Sequence, residues 1–245
     1  MDLLTAIIKT SMALWYPKIQ QLEYIPKPDT ILILLSKEES INLESLIDGG
    51  TPDQRLLNRI KVAANKIGYP IFLRTDYLSA KHEWEEACFV PSEKDLNSHL
   101  FRLVETSMMC DQALRALAIR QYIPMESKFK AFRGLPIAKE RRIFARQGKI
   151  ICHHPYWPPD CIHFYRGTPE PDNWEDLITY INTITKEETK MLEDWARQVS
   201  NLFEDAWSID FCKGQNGTWY LIDMAIAEVS YHWDGCPEAL NLNID

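Results

Sequence analysis

Hydrophobic and polar positions along the chain follow two different periods, and the change from one to the other divides it. Up to about residue 123, apolar residues mostly recur at helical spacing, interrupted by short apolar runs at residues 30–36 and 69–75 that predict strands. Beyond Pro124 the pattern becomes that of antiparallel strands separated by turn residues, followed by two helices and a hairpin. The pattern therefore predicts an α+β protein.

The most distinct predicted helix covers residues 51–67. Thr51 has the character of an N-cap, Pro52 suits the first helical position, and Gly68 is placed to end the helix. A further helix beginning at Ser92 and a strand over residues 116–123 complete a small α+β unit. We expect an N-terminal segment over residues 1–50, a small lobe over 51–123 and a large lobe over 124–245, with a strand-like hinge near residues 120–124.

The predicted hairpin over residues 207–223 is the most informative segment for chemistry. Asn216-Gly217 between alternating apolar runs predicts a two-residue turn in which both central residues have positive φ. That turn would pair Gln215 with Thr218 and would place Asp210 opposite Asp223. Since like charges opposite each other on a sheet repel, we expect a cation, a proton or an arginine between them. The alternatives are that both acids are solvated, or that the register slips by one residue.

Two basic segments extend this hypothesis to phosphate binding. Arg74 ends an apolar strand and Lys81 follows in a short loop, so the two cations suit a polyphosphate, although an exposed loop with two ordinary cations would look the same. In the predicted strand over residues 138–146, Glu140 and Arg142 share one face. Arg142 could stabilise a transferring phosphoryl group with Glu140 orienting it, or the two could form a solvent-exposed ion pair of little consequence.

Composition and charge limit the choice of partners. The chain has 245 residues, of which 46% are hydrophobic, and a formal charge of −8, which argues against nucleic acid or anionic membrane as a partner held by bulk charge. Its longest apolar runs are far too short to span a membrane. The six cysteines lack any C-x-x-C pair, and the histidines at His153, His154 and His232 show no metal-ligand spacing. We expect a cytoplasmic protein with reduced thiols and neither a zinc module nor a disulfide framework.

Taken in order, these segments resemble the ATP-grasp superfamily, and most closely its small bacterial and phage members. The resemblance covers residues 51–233 and rests on a set of short segments that are individually weak. They are Phe72-Leu-Arg-Thr, Ser79-Ala-Lys-His-Glu-Trp84, Gly134-Leu-Pro-Ile, Glu140-Arg-Arg142, His154-Pro-Tyr-Trp157 and Ile222-Asp-Met-Ala225. It implies two α+β lobes with antiparallel sheets that clasp a nucleotide cleft, preceded by a short N-terminal α/β segment.

The resemblance also implies site residues and cofactors. Arg74 and Lys81 would contact the phosphates of ATP, and the hinge residues Gln121, Tyr122 and Ile123 would bind adenine through backbone groups. Mg²⁺ would be held by Asp210 and Asp223, and Arg142 would act on the transferred group. The sequence Asp223-Met-Ala225 replaces the Glu-x-Asn metal motif of many relatives. One ligand is therefore unaccounted for, and Glu228 is a candidate for it, although it could equally be an ordinary loop acid.

The implied activity is that of an ATP- and Mg²⁺-dependent ligase. A small-molecule or peptide carboxylate would attack the γ-phosphate to give an acyl phosphate, and an amine or thiol would then displace phosphate. Two alternatives stay open, an ATP-dependent phosphotransferase acting on a hydroxyl and a non-catalytic nucleotide-binding module.

Overall fold

The computed structural model describes residues 2–159, 171–234 and 236–238, which form helices and antiparallel sheets in two compact units. The first unit comprises residues 1–27, 124–131 and 136–245, and the second comprises residues 28–123 and 132–135. The predicted N-terminal segment of residues 1–50 is thus divided between the two units after residue 27. No helix in the described ranges has the length and apolar character needed to cross a membrane.

The second unit is a four-stranded antiparallel sheet packed on helices. Its strands lie in the order β1, β4, β2, β3. They are β1 (Thr30–Leu34), β2 (Ile71–Thr75), β3 (Phe89–Val90) and β4 (Ala116–Gln121), and the helices are α3 (Lys37–Glu44), α4 (Gln54–Ile67) and α5 (Leu96–Met109). Leu73 and Ile119 face α4 and α5 in a buried core, so the opposite sheet face carries the alternate positions Phe72, Arg74 and Arg120.

Helix α4 begins later than the sequence pattern suggests. Its N-cap is Asp53, whose side chain accepts a hydrogen bond from the Leu56 amide at 2.8 Å, so the prediction that Thr51 caps the helix is wrong. Asp53 and Thr51 are both good N-cap residues, and Asp53 stands three residues before the first buried leucine. Gly68 ends the helix with φ +89, as predicted.

The first unit contains a second four-stranded antiparallel sheet, in the order β10, β9, β7, β8. Its strands are β7 (Glu140–Arg146), β8 (Lys149–Pro155), β9 (Trp207–Lys213) and β10 (Trp219–Ile226). Strands β5 (Ser127–Ala131) and β6 (Leu135–Ala138) form a separate pair. The remaining elements of this unit are α1 (Leu3–Lys9), α2 (Met12–Ile19), α6 (Trp174–Asn182) and α7 (Lys186–Ser200).

The two faces of this second sheet have different surroundings. On one face the Arg141 guanidinium donates to the Asn182 carbonyl of α6, and Phe211 packs against Trp195 of α7. Residues 142, 144, 210 and 223 point to the other face, because they alternate with those helix-facing positions along their strands. We call it the charged face, and the chain that follows β10 contributes further groups to it.

Candidate functional site

A row of charged residues runs across the charged face. In the strand pairing Asp223 lies opposite Asp210, Asp210 lies opposite Arg142, and Arg142 lies opposite His154. Four neighbouring strands therefore each contribute one titratable side chain at the same level of the sheet. The prediction that Asp210 faces Asp223 is confirmed.

The turn that produces this pairing differs from the predicted one. The Gly214 amide donates to the Thr218 carbonyl at 2.8 Å, so Gly214 rather than Gln215 pairs with Thr218. Only Gly217 has positive φ (+81), whereas Asn216 uses its side-chain oxygen to accept from the Thr218 amide. The predicted two-residue turn is wrong. The pairing is offset by one residue as far as Leu221, and an irregularity between Leu221 and Asp223 then restores the predicted register.

Arg142 provides the positive charge expected beside the carboxylates. Its Nε and Nη2 donate to the two oxygens of Asp210, both at 2.8 Å, and its Nη1 donates to the Tyr231 carbonyl at 3.3 Å. The guanidinium carbon also lies 4.7 Å from the centre of the Tyr156 ring. Asp210, not Glu140, is thus the residue that orients Arg142. Glu140 is buried two residues away on the same face and adds only its charge.

The pKa of Arg142 follows from this environment. Burial alone would lower the pKa of the guanidinium, but the charge and hydrogen bonds of Asp210 outweigh that effect and raise the pKa above its ordinary value. Arg142 is therefore a fixed cation with a defined orientation, held by a bidentate contact that a lysine could not reproduce.

The three predicted metal ligands are placed differently from one another. Each oxygen of Asp210 accepts one hydrogen bond from Arg142, and because a carboxylate has about four lone-pair sites, Asp210 can still bind a cation. Asp223 Oδ1 accepts from the Met224 amide at 3.0 Å. Glu228 lies in the short turn after β10, where its Oε2 is buried without a hydrogen-bond partner among the described residues. Such an oxygen suits a cation ligand, since leaving it unpaired costs free energy.

The three carboxylates are nevertheless not gathered around one point. Within the part of the chain that the structure describes, Asp210, Asp223 and Glu228 are not among the groups of three or more potential ligand atoms within 4.8 Å of one another. Asp210 and Asp223 are cross-strand neighbours, and Glu228 stands apart from such a group. Their chemistry fits Mg²⁺, which prefers carboxylate oxygens and water.

The predicted phosphate-binding cations lie in the second unit. Arg74 is 4% exposed on β2, where its Nε donates to the Thr75 carbonyl at 3.0 Å. Lys81 opens a short turn directly after Ala80, which adopts the left-handed conformation (φ 49) that favours glycine. Sequence reasoning missed Arg120, which lies on the same sheet face as Arg74 and is equally buried. A single arginine in the apolar run of β4 was the signal for it.

The predicted hinge residues end the second unit. The Gln121 amide already donates to the Asp29 carbonyl at 2.7 Å, so this group is used within the unit's own sheet. The Tyr122 ring packs edge-on against Phe89 and Trp84, and burial raises the pKa of its hydroxyl. Together these rings form an aromatic cluster next to the predicted adenine-binding backbone.

Sequence reasoning also missed a group of sulfur and nitrogen atoms beside Arg142. Cys152, His154, His232 and Cys236 bring one ligand atom each to within 4.8 Å of all the others. Burial and the neighbouring positive charges lower the pKa of His154 to about 4, and burial raises the pKa of Cys152 to about 12. The signal in the sequence was the Cys-x-His spacing of residues 152–154, which puts both side chains on one face of a strand.

Comparison with known proteins gives one family. A family model described as an ATP-grasp domain, the third family of its clade, matches residues 64–240. No curated protein matches the chain at a significant level.

Among solved structures, those most similar to the chain are larger proteins. A RimK domain ATP-grasp protein from Sphaerobacter thermophilus is 14% identical with a TM-score of 0.47, covering 90% of this chain and 60% of its own. D-alanine–D-alanine ligase from Bacillus anthracis, complexed with ATP, is 13% identical with a TM-score of 0.47, covering 89% and 54%. N5-carboxyaminoimidazole synthase from Aspergillus clavatus is 11% identical with a TM-score of 0.49, covering 89% and 45%. The chain thus spans 45–60% of the length of these three structures.

Proposed function

Because the chain belongs to this ATP-grasp domain family, we propose that it is an ATP- and Mg²⁺-dependent ligase. A carboxylate on a small molecule or peptide would attack the γ-phosphate of ATP, which forms an acyl phosphate and releases ADP. An amine or thiol would then attack the acyl carbon and release phosphate. The observation that carries this proposal is the row of Asp223, Asp210 and Arg142 across one sheet face of a member of this family.

Arg142 has the properties required to act on the transferred group. It keeps its positive charge, and Asp210 fixes the plane of its guanidinium through two hydrogen bonds. A cation held in place before the reaction stabilises negative charge as it develops without first having to reorient. Arg142 is therefore proposed to lower the barrier for phosphoryl transfer, with Asp210 in the double role of positioning Arg142 and binding the metal.

Asp210, Asp223 and Glu228 are proposed to hold Mg²⁺, which would neutralise phosphate charge when bound. Arg74 and Lys81 are proposed to contact the ATP phosphates, and Arg120 joins them because it shares the sheet face of Arg74. Since the Gln121 amide is already paired, adenine recognition through backbone groups would fall mainly to Tyr122 and Ile123.

One observation favours a second candidate, a nucleotide-binding module that does not catalyse a reaction. Asp210 turns both oxygens to Arg142, and the three carboxylates are not assembled as a group among the described residues. A protein that binds ATP with little dependence on Mg²⁺ would show this arrangement. The phosphotransferase alternative differs only in its product, since it yields ADP and a phosphorylated compound rather than free phosphate.

Calorimetric titration of ATP, with and without Mg²⁺, tests the proposal. We expect Mg²⁺-dependent binding in the wild type and its loss in Asp223→Asn and in the Asp210→Asn, Asp223→Asn double variant. Asp205→Asn is the matched control, because Asp205 belongs to the same unit but pairs with Lys9 instead. Unchanged Mg²⁺-dependent binding in the folded double variant would contradict the metal site, and no ATP binding by the wild type would contradict the function as a whole.

Substrate class is tested by phosphate release with ATP, Mg²⁺ and pools of carboxylates combined with amines or thiols. Free phosphate that appears only when both partners are present supports a ligase. A phosphorylated product without free phosphate indicates a phosphotransferase, and ATP binding without turnover in any pool indicates the non-catalytic module.

A further inference from the structure

Two distant segments of the first unit bring cysteine and histidine side chains together on the charged face. Cys152 and His154 are alternate residues of β8 and therefore point the same way. His232 and Cys236 come from the chain that follows β10, some eighty residues later in the sequence. One ligand atom from each of the four lies within 4.8 Å of the other three.

The distances between these atoms match a tetrahedral metal site. Cys152 Sγ is 3.6 Å from His154 Nε2 and 3.7 Å from His232 Nδ1. With metal–sulfur bonds of about 2.3 Å and metal–nitrogen bonds of about 2.0–2.1 Å, the sulfur-to-nitrogen edge of a tetrahedron is about 3.6 Å. The ligand atoms are thus already spaced as Zn²⁺ would require.

Aromatic rings surround these side chains and restrict their movement. The His232 ring stacks on Phe144 with ring centres 3.6 Å apart, and the His154 ring lies parallel to Trp233 at 6.0 Å. The second nitrogen of His232, Nε2, is buried without a hydrogen bond among the described residues, a cost that a metal bond at Nδ1 would offset. An apolar shell around a metal site limits access of water and competing ligands.

We propose that Cys152, His154, His232 and Cys236 bind one Zn²⁺ as a closed structural site. Two thiolates and two neutral imidazoles balance the charge of the ion, and four protein ligands leave no open position for catalysis. The ion would fasten residues 231–236 to β8. Because the Tyr231 carbonyl accepts a hydrogen bond from Arg142, the zinc site would also support the position of that arginine. It stands independently of the proposed ligase activity.

A disulfide between Cys152 and Cys236 is the competing use of the same atoms. In the structure both side chains are free thiols. A disulfide would occupy both sulfurs and would leave the two histidines without a role. The two possibilities differ in metal content and in the number of titratable thiols.

The test is the metal content of the full chain, purified under reducing conditions with zinc supplied and excess zinc removed. By the chemistry of structural zinc sites, we expect about one zinc per chain in the wild type and less than about one tenth of that in Cys152→Ser, Cys236→Ser. His154→Asn should also lose zinc. His153→Asn is the matched control and should keep it, because His153 is exposed on the opposite face near Glu193.

Replacing zinc by Co²⁺ provides a second measurement on the wild type, so the proposal stays testable if the variants do not fold. A tetrahedral site with two thiolates gives intense visible bands and a sulfur-to-cobalt charge-transfer band. Folded wild-type protein with no bound zinc and no such spectrum, or with a Cys152–Cys236 disulfide that persists under reducing conditions, would overturn the proposal. Zinc retained in the folded double cysteine variant would overturn it as well.

Discussion

Arg142 and Asp210 are held at 16% and 6% side-chain exposure, where neither charge would be stable alone. Removing a charge from water is costly, and only the bidentate contact and the remaining hydrogen bond of Arg142 offset that cost. The energetic importance of such a pair lies in what happens when one partner is removed. An uncompensated buried carboxylate is far less stable than a well-packed apolar pair of the same size.

We therefore predict that Arg142→Met lowers the free energy of unfolding by about 3 kcal/mol, because it leaves Asp210 buried and unpaired. The double variant Arg142→Met, Asp210→Leu should recover most of this loss. Urea unfolding at pH 7 measures both. Arg146→Met, on the same strand but exposed and bonded only to the Glu204 carbonyl, is the control and should change stability by less than about 0.5 kcal/mol. A double variant less stable than Arg142→Met would contradict this account.

Glu188 is a second residue whose charge is stabilised by its neighbours. Burial alone would raise its pKa, but hydrogen bonds from Lys213, the Thr185 amide and the Trp219 indole lower the pKa to about 2 from an ordinary 4.5. A carboxyl group with a depressed pKa in the folded state stabilises the protein above its unfolded pKa. That contribution is lost as the pH falls from about 4.5 toward 2.

The predicted consequence is that Glu188→Gln costs roughly 2 kcal/mol at pH 7 and progressively less below pH 4.5, until wild type and variant unfold alike near pH 2. Chemical denaturation across this pH range measures the difference. Glu187→Gln serves as the control, since Glu187 is exposed in the same helical turn and should show no such pH dependence. A constant difference between wild type and Glu188→Gln at all pH values would refute the assignment.

At the scale of elements, the β9–β10 hairpin depends on one glycine and one irregularity. Gly217 has φ +81 and an added Cβ would meet no atom within 4 Å, so a side chain there is disfavoured by the backbone alone. The turn shifts the pairing by one residue, and the irregularity after Leu221 shifts it back before Asp223. Both features are needed to place the two carboxylates opposite each other.

We predict that Gly217→Ala destabilises the protein by about 1 kcal/mol, and that Gly217→Asn costs less because asparagine tolerates the left-handed conformation better. The order of midpoints in urea, with glycine first, asparagine second and alanine third, checks the claim. Equal stability of all three would mean that the turn adopts a different conformation.

The elements also show how far the sequence determines this site. Alternation and the Asn-Gly signal were sufficient to place Asp210 opposite Asp223, although the turn itself was predicted wrongly, because the offset and the irregularity cancel. Asp210 as the partner of Arg142 requires the β7–β9 pairing, which joins strands far apart in the chain and has no local signal. The Cys152 and His232 contact was missed for the same reason.

At the scale of the whole molecule, the second unit has a core of its own. All members of the largest buried cluster lie between Ile33 and Ile119, within residues 28–123. The first unit has three chain segments and the second has two, so the chain passes between them four times. Hydrophobic periodicity indicated the change of architecture near residue 123, but not the assignment of residues 1–27, because two short N-terminal helices carry no signal for the strand they contact. Helix α1 in fact contacts β10.

Separate cores predict separate local stabilities. Leu73→Ala removes a fully buried side chain from the second unit's core and should cost about 3 kcal/mol, which would speed hydrogen exchange at β2 and β4 amides roughly 100-fold. The β7 and β9 amides should keep their protection. Ile209→Ala, at an equally buried position on β9, should produce the reverse pattern. Equal acceleration in both sheets by either variant would show instead that the two units open as a single cooperative structure, and stability changes measured at Arg142 would then report on the entire molecule.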